Sequence, residues 1–208
     1  MKFTNGYWLI RNNFAMTYAT QAIRIKKTEK TLHVLTAGIH VRCRGDMLGG
    51  GTLDVTFTAP RENIIRVQVT HFAGVRPKEP RFETYEEEVQ PEIAETEKEV
   101  VFRSGRLSAH VSKSMEQWRV DYYDGEKLLT SSEYHSMGHA KDKSTGKTYM
   151  SESLMLDVGE CVYGLGERFA AYVKNGQLQS YAYMDDFASQ FYSGPRLAFE
   201  DPEEDKRA

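Results

Sequence analysis

Only two cysteines, Cys43 and Cys161, occur in the 208 residues, and neither belongs to a CxxC pair or a histidine-rich tract. The spacing argues neither a disulfide nor a metal site, and two reduced structural thiols are expected. No stretch of eighteen apolar residues exists, and the opening Met1-Lys2-Phe3-Thr4-Asn5-Gly6 has no apolar leader core, so no membrane partner and a cytoplasmic location are expected. An excess of charge of either sign is also missing. Lys and Arg total 27 against 30 Asp and Glu, interspersed, for a net charge of -3, which gives no footprint for nucleic acid or an anionic membrane. A sustained helical period is absent before Gly166. What remains is a chain 40% hydrophobic and 12% aromatic, which suits a folded domain rather than a disordered or coiled-coil segment.

Short stretches of period two fill that space. Tyr7-Trp8-Leu9-Ile10 and Thr31-Leu32-His33-Val34-Leu35 read as strands. Thr52 to Phe57 alternates strictly, with Leu53, Val55 and Phe57 on one face, and Ile64 to Thr70 alternates again with Ile65, Val67 and Val69 inward. The turn-like Ala59-Pro60-Arg61-Glu62-Asn63 between them makes an antiparallel hairpin. From Arg76 to Glu99 the chain is charged and contains Glu86-Glu87-Glu88, the character of a solvated loop or a guarded edge strand. Val100-Val101-Phe102 resumes the strands. Gly105 is the expected reversal point, followed by Leu107, Ala109 and Val111 inward and Ser108, His110 and Ser112 outward. Gln117 to Tyr123, Asp124-Gly125 and Lys127-Leu128-Leu129 form the best local hairpin, since Asp-Gly accommodates positive φ. Thr130 to Thr148 reads as a long polar loop, and Ser153 to Val158 as a last alternating strand. The expectation is an all-β, antiparallel two-sheet sandwich burying Leu53, Val55, Ile65, Val67, Leu107, Val111, Trp118, Val120 and Leu156.

Candidate chemistry is sparse. Gly164-x-Gly166 is half of a dinucleotide fingerprint whose third glycine falls at Phe169, so no nucleotide cofactor is expected. Of the six histidines only His135-x3-His139 has ligand-like spacing, and no helix presents it; no metal is expected. A G-x-S-x-G elbow for a serine nucleophile is missing. Asp185-Asp186 is a tempting carboxylate pair, but adjacent strand positions point to opposite faces. Trp118, Val120 and Tyr122 share one strand face and read as core rather than as a sugar-stacking platform.

The stretch Gly159-Glu160-Cys161-Val162-Tyr163-Gly164-Leu165-Gly166-Glu167-Arg168-Phe169, with Asn175-Gly176-Gln177 after it, has the composition of backbone bent tightly beside a polar cleft. It resembles the segment that ends the N-terminal β-sandwich of glycoside hydrolase family 31 enzymes, in the α-xylosidase branch. Gly6-Tyr7-Trp8-Leu9-Ile10, Val69-Thr70-His71-Phe72-Ala73-Gly74, Phe102 to Lys113 and Tyr149-Met150 resemble the same family in the same order. The resemblance implies a galactose-mutarotase-like sandwich over residues 1–177. It also implies that the catalytic aspartates sit on a (β/α)8 barrel that follows in longer relatives, and that this chain is inactive alone. Glu167, Arg168 and Phe169 become substrate-adjacent candidates, although Glu167-Arg168 reads in preference as an ion pair that fixes the glycine turn, and no catalytic residue, cofactor or metal is assigned. After Gln177 the resemblance stops: residues 178–208 lack a Trp-Asn-x-Asp-Gly-Gly-like loop, and a poorly packed tail with an interrupted reading frame near Gln177 is expected. The implied function is a non-catalytic module that shapes a substrate entrance and packs on the barrel of an enzyme acting on terminal α-xylosides. The alternative is a free-standing carbohydrate-binding or oligomerisation module, which leaves carbohydrate and a second copy open as partners.

Overall fold

The computed structural model describes residues 9–71, 85, 87–164 and 171–175. Among these it contains strands β1 (Phe14–Tyr18), β2 (Gln21–Lys27), β3 (Thr31–Ala37), β4 (Thr52–Arg61), β5 (Ile64–Thr70), β6 (Glu92–Glu95), β7 (Glu99–Ser104), β8 (Leu107–Ser112), β9 (Val120–Asp124), β10 (Lys127–Ser132), β11 (Gly138–Asp142) and β12 (Thr148–Ser151). One short 3-10 helix spans Arg44–Leu48. The strands form sheets in the orders β2-β3-β4-β5, β10-β9-β8-β7-β6 and β1-β11-β12.

The chain divides into two compact units, one of residues 17–139 and 152–155, the other of the remaining segments. The first holds the four- and five-stranded sheets. Register aligns Leu32 with Phe57, Val34 with Val55 and Thr36 with Leu53 across β3 and β4, so one pleat face is continuous. Across β7 and β8, Val100 meets Val111 and Phe102 meets Ala109, and Val111 then meets Val120 on β9. Leu32, Val34, Leu53, Val55, Phe57, Val100, Phe102, Val111, Trp118 and Val120 are all buried. Phe57 and Phe102 join the sheets, their ring centroids 6.3 Å apart. Each such side chain contributes about 1.5–3 kcal/mol on leaving water, which is what an alternating sequence supplies when only one face of each sheet is apolar. The second unit has a small core of Phe14, Ala140 and Tyr149, with Ile10 and Met16 against it.

The antiparallel sandwich agrees with the sequence pattern, with instructive differences. Leu53 and Val55 lie on one buried face, whereas Ile65, Val67 and Leu107 are only half-buried. β5 is the outermost strand of its sheet, so its inward residues are covered on one side only. Leu156 is a correction: it is 44% exposed, and residues 152–157 form no strand, because the backbone bond from Met155 N–H to the Ser131 carbonyl of β10 does not continue into a ladder. Ser108 shares the outer face with His110, as expected, yet is buried there. The long polar loop expected over 130–148 contains the end of β10, all of β11 and the start of β12. β11 has Gly138, His139, Ala140 and Asp142 buried, small or polar residues that no hydrophobic pattern reveals. Tyr7 and Trp8 lie outside the described residues, and Ile10 makes only an isolated bridge.

The charged segment ends in the edge strand β6, where Glu95 accepts hydrogen bonds from two lysines. Lys27 Nζ stands 2.7 Å and Lys113 Nζ 2.9 Å from its carboxylate oxygens. The Lys27 hydrogen bond first, then that of Lys113, holds the carboxyl down at about 2. A carboxyl whose folded pKa is depressed contributes stability above its ordinary value of 4.5 and loses it as pH falls toward 2. Glu95→Gln is therefore expected to flatten the decline of melting temperature with acidification across that window, leaving the melting temperature less sensitive to pH than in the parent chain. Thermal melts from pH 7 to pH 2 check this.

Candidate functional site

The glycine-rich stretch is organised around one amide. Asn175 Oδ1 accepts the Val162 N–H at 2.8 Å, and its Nδ2 donates to the Glu160 carbonyl at 2.9 Å. The Lys174 backbone N–H adds a bond to the Val162 carbonyl at 2.8 Å, and the buried Lys174 ammonium donates to the Ala171 carbonyl at 2.7 Å. Glu160 turns its carboxylate back onto the Asp157 N–H at 2.9 Å. Gly159 and Gly164 take φ of 82° and 83°, a left-handed conformation that a residue without Cβ adopts at little cost. Tyr163 and Tyr172, both exposed, approach at 5.1 Å between centroids. An Asn that satisfies one donor and one acceptor of a distant loop fixes that loop without regular secondary structure. Glu167, Arg168 and Phe169 follow this pinned backbone but lie outside the described residues, as does Asp185-Asp186.

Asn175→Ala removes both bonds at once. At about 0.5–1.5 kcal/mol for each exposed bond, roughly 1–3 kcal/mol of local ordering is lost, and faster amide hydrogen exchange at Val162 is the expected reading.

Three further clusters carry chemistry-bearing groups. On β8, Ser108 Oγ lies 3.1 Å from His110 Nε2, and His110 Nδ1 lies 3.3 Å from Glu99 Oε2. The order serine, histidine, carboxylate is that of a nucleophilic relay, but Ser108 is 1% exposed, so no substrate carbonyl can reach its oxygen. The arrangement satisfies a buried hydroxyl. The sequence held its signal, Ser108-x-His110 on one strand face, without showing that Glu99 stands across the ladder.

Glu152 forms the second cluster. It turns its carboxylate onto Ser132, whose buried Oγ donates to it at 2.5 Å and sits 2.7 Å from Ser136 Oγ. Desolvation of this carboxyl raises its pKa, against the lowering effect of the Ser132 hydrogen bond. Burial also pushes the Tyr122 hydroxyl strongly up, with a smaller contribution from the Glu152 charge. With the folded pKa above the ordinary 4.5, the folded state holds the proton more tightly, so ionisation costs stability as pH rises through that range. Glu152→Gln keeps an acceptor for Ser132 and removes the charge. It is expected to raise the melting temperature at pH 7 and to have no effect below about pH 4, measured by differential scanning calorimetry at both pH values.

The third cluster is a row of rings. His135, at φ 65°, stacks on Tyr134 at 3.9 Å and on Tyr18 at 4.7 Å, and Tyr134 lies 6.5 Å from His40. His40 Nδ1 faces two acceptors, Gln21 Oε1 at 3.3 Å and the Met115 carbonyl at 3.2 Å, which places a proton on that nitrogen. His139 stacks on His71 at 3.7 Å. The two histidines of the ligand-like spacing thus meet different partners, and among the described residues no group of three or more His, Cys, Asp or Glu side chains is placed to hold a metal ion. No helix among them is long and apolar enough to cross a membrane.

The arrangement is that of an antiparallel β-sandwich. An uncharacterized protein from Listeria monocytogenes EGD-e and a cycloalternan-forming enzyme from Listeria monocytogenes, solved with a pentasaccharide substrate, share this fold. Each has a TM-score of 0.58 at 14% identity, over 85% of this chain and 16% of its own. The family is shown by sequence: residues 54–196 match the glycosyl hydrolase 31 N-terminal galactose mutarotase-like domain, and the chain belongs to that family. An alpha-xylosidase of Emericella nidulans is 32% identical over 196 residues, covering 85% of this chain, and alpha-xylosidase XylQ of Lactiplantibacillus pentosus is 33% identical over 180 residues, covering 86%. The chain spans about a quarter of the length of these relatives, 25% and 23% respectively.

Proposed function

We propose that this chain is the non-catalytic N-terminal module of an α-xylosidase-like glycoside hydrolase, shaping the substrate entrance and packing on a catalytic barrel that acts on terminal α-xylosides. The observation that carries this reading is the 32–33% identity to two alpha-xylosidases along some 85% of the chain. The carboxylates support it. Retaining hydrolysis needs two carboxyl groups about 5 Å apart across the scissile bond. Glu87, Glu95, Asp121 and Asp124 are instead tied to lysines or arginines at 2.7–2.9 Å, where they brace the sheets.

The test is incubation of the purified chain with an aryl α-xyloside under conditions in which the Lactiplantibacillus relative turns over. No release above buffer is expected. Hydrolysis that survives repurification and disappears in Asp185→Ala or Asp186→Ala overturns the reading. The ring row favours a second reading, a carbohydrate-binding module, because Tyr134 is 44% exposed and offers an amphipathic face. Saturable binding of a xylose-containing oligosaccharide, lost in Tyr134→Ala, would establish it.

A further inference from the structure

The free edges of the two large sheets are not alike. β2 carries Arg24, Lys26 and Lys27, β5 carries Arg66, and β6 carries Glu92 and Glu95. Charge on an edge strand is the usual guard against pairing with another chain. β10, Lys127-Leu-Leu-Thr-Ser-Ser, has a single charge at its first position. Its register with β9 skips between Leu128 and Thr130, so Leu129 is the extra residue of a bulge. A regular strand would turn one of two consecutive leucines inward. Here Leu128 is 46% and Leu129 42% exposed.

The same edge carries more apolar surface. Met155 N–H donates to the Ser131 carbonyl at 2.9 Å, and Thr130 Oγ1 donates to the Met155 carbonyl at 2.8 Å, laying residues 154–155 along β10. Leu154 and Met155 are 56% and 52% exposed. In sequence the run goes on through Leu156, also exposed, to Val158, wholly exposed. The alternation of Ser153 to Val158 is that of a buried strand, yet nothing among the described residues covers it. Large apolar groups scattered singly are ordinary, but four exposed ones on β10 and on the segment hydrogen-bonded to it, beside a strand whose one charge is Lys127 at its very start, mark a surface that another apolar surface covers.

We infer that Leu128, Leu129, Leu154 and Met155 form the docking surface for the remaining part of a full-length glycoside hydrolase polypeptide. The inference rests on the reading of the chain as an N-terminal module. The length of the relatives, about four times this chain, favours that occupant over a second copy. An intramolecular partner also needs no charge steering, in keeping with an edge that has almost none.

The probe is the Lactiplantibacillus relative with the quarter that matches this chain removed, certified by its rebinding of its own excised quarter. The labelled 208-residue chain is titrated with it, alongside the Leu128→Asp/Leu129→Asp and Leu154→Asp/Met155→Asp variants. The substituted side chains are exposed, so melting temperatures within a few degrees of the parent are expected and verify folding. Saturable binding by the parent chain, weakened about tenfold or more in both variants, is the expected result. Equal binding by folded variants overturns the surface and leaves the packing reading standing. No binding by the parent chain to the certified probe overturns both. If the parent chain instead self-associates in sedimentation and the variants do not, the occupant is a second copy and the assignment to the same polypeptide fails.

Discussion

Replacing Phe102 with alanine is expected to lower the free energy of unfolding by about 3–5 kcal/mol, a large part of what a domain of this size has to lose. Phe102 is fully buried on β7, opposite Ala109, with the Phe57 ring 6.3 Å away from the facing sheet. Its small neighbour on β8 leaves the volume to the phenyl ring, so truncation opens a cavity that Ala109 cannot fill. Phe57→Ala is expected to cost a similar amount. The two residues touch one void, so the double variant should lose less than the sum, with a coupling of about 0.5–3 kcal/mol. Urea unfolding followed by tryptophan fluorescence reads all three, since Trp118 is buried in the same unit. Leu156→Ala is the contrasting control: at an exposed site it should stay within about 0.5 kcal/mol of the parent. A cost near that of a core leucine would show that 153–158 is a buried strand after all.

That control marks where the sequence stopped being legible. Period-two alternation exposed β4 and β8 because one sheet face is apolar, and the same pattern then misplaced Leu156. Alternation reports that a segment has two unlike faces, not which molecule or domain covers the apolar one. β11 shows the reverse failure, since its buried positions are glycine, histidine, alanine and aspartate, and a strand packed through small and polar groups has no hydrophobic signature. The family was legible from the order of short motifs. Glu167, Arg168 and Phe169, carried over by that resemblance, lie outside the described residues. The bonds that fix the backbone before them come from Asn175, eleven residues beyond Gly164, a separation no periodic reading captures.

Turn chemistry was the most legible feature, and it supports the other large effect. Gly105 and Gly125 both reverse hairpins, at φ 57° and 60°, and alanine at either must enter the left-handed region at about 1–2 kcal/mol. Their surroundings differ. A Cβ on Gly125 meets nothing within 4 Å, so Gly125→Ala should cost that conformational amount alone. A Cβ on Gly105 would sit 2.3 Å from Asn63 Oδ1 and 3.0 Å from Glu62 Cγ. Asn63 cannot swing away freely, because its Oδ1 accepts the Arg106 N–H at 2.7 Å and its own φ is 60° at the β4–β5 turn. Displacing it breaks the bond that ties the β7–β8 turn to the β4–β5 turn, adding about 1 kcal/mol and any strain left in the loop. Gly105→Ala is therefore expected to cost roughly 2–4 kcal/mol, more than Gly125→Ala by the Asn63 contribution. In an Asn63→Gly background the difference should shrink, since the clashing oxygen and the bond it makes are both gone. Unfolding free energies of the four variants decide the point: equal costs at Gly105 and Gly125 in the parent background would mean that the two turns do not touch through Asn63.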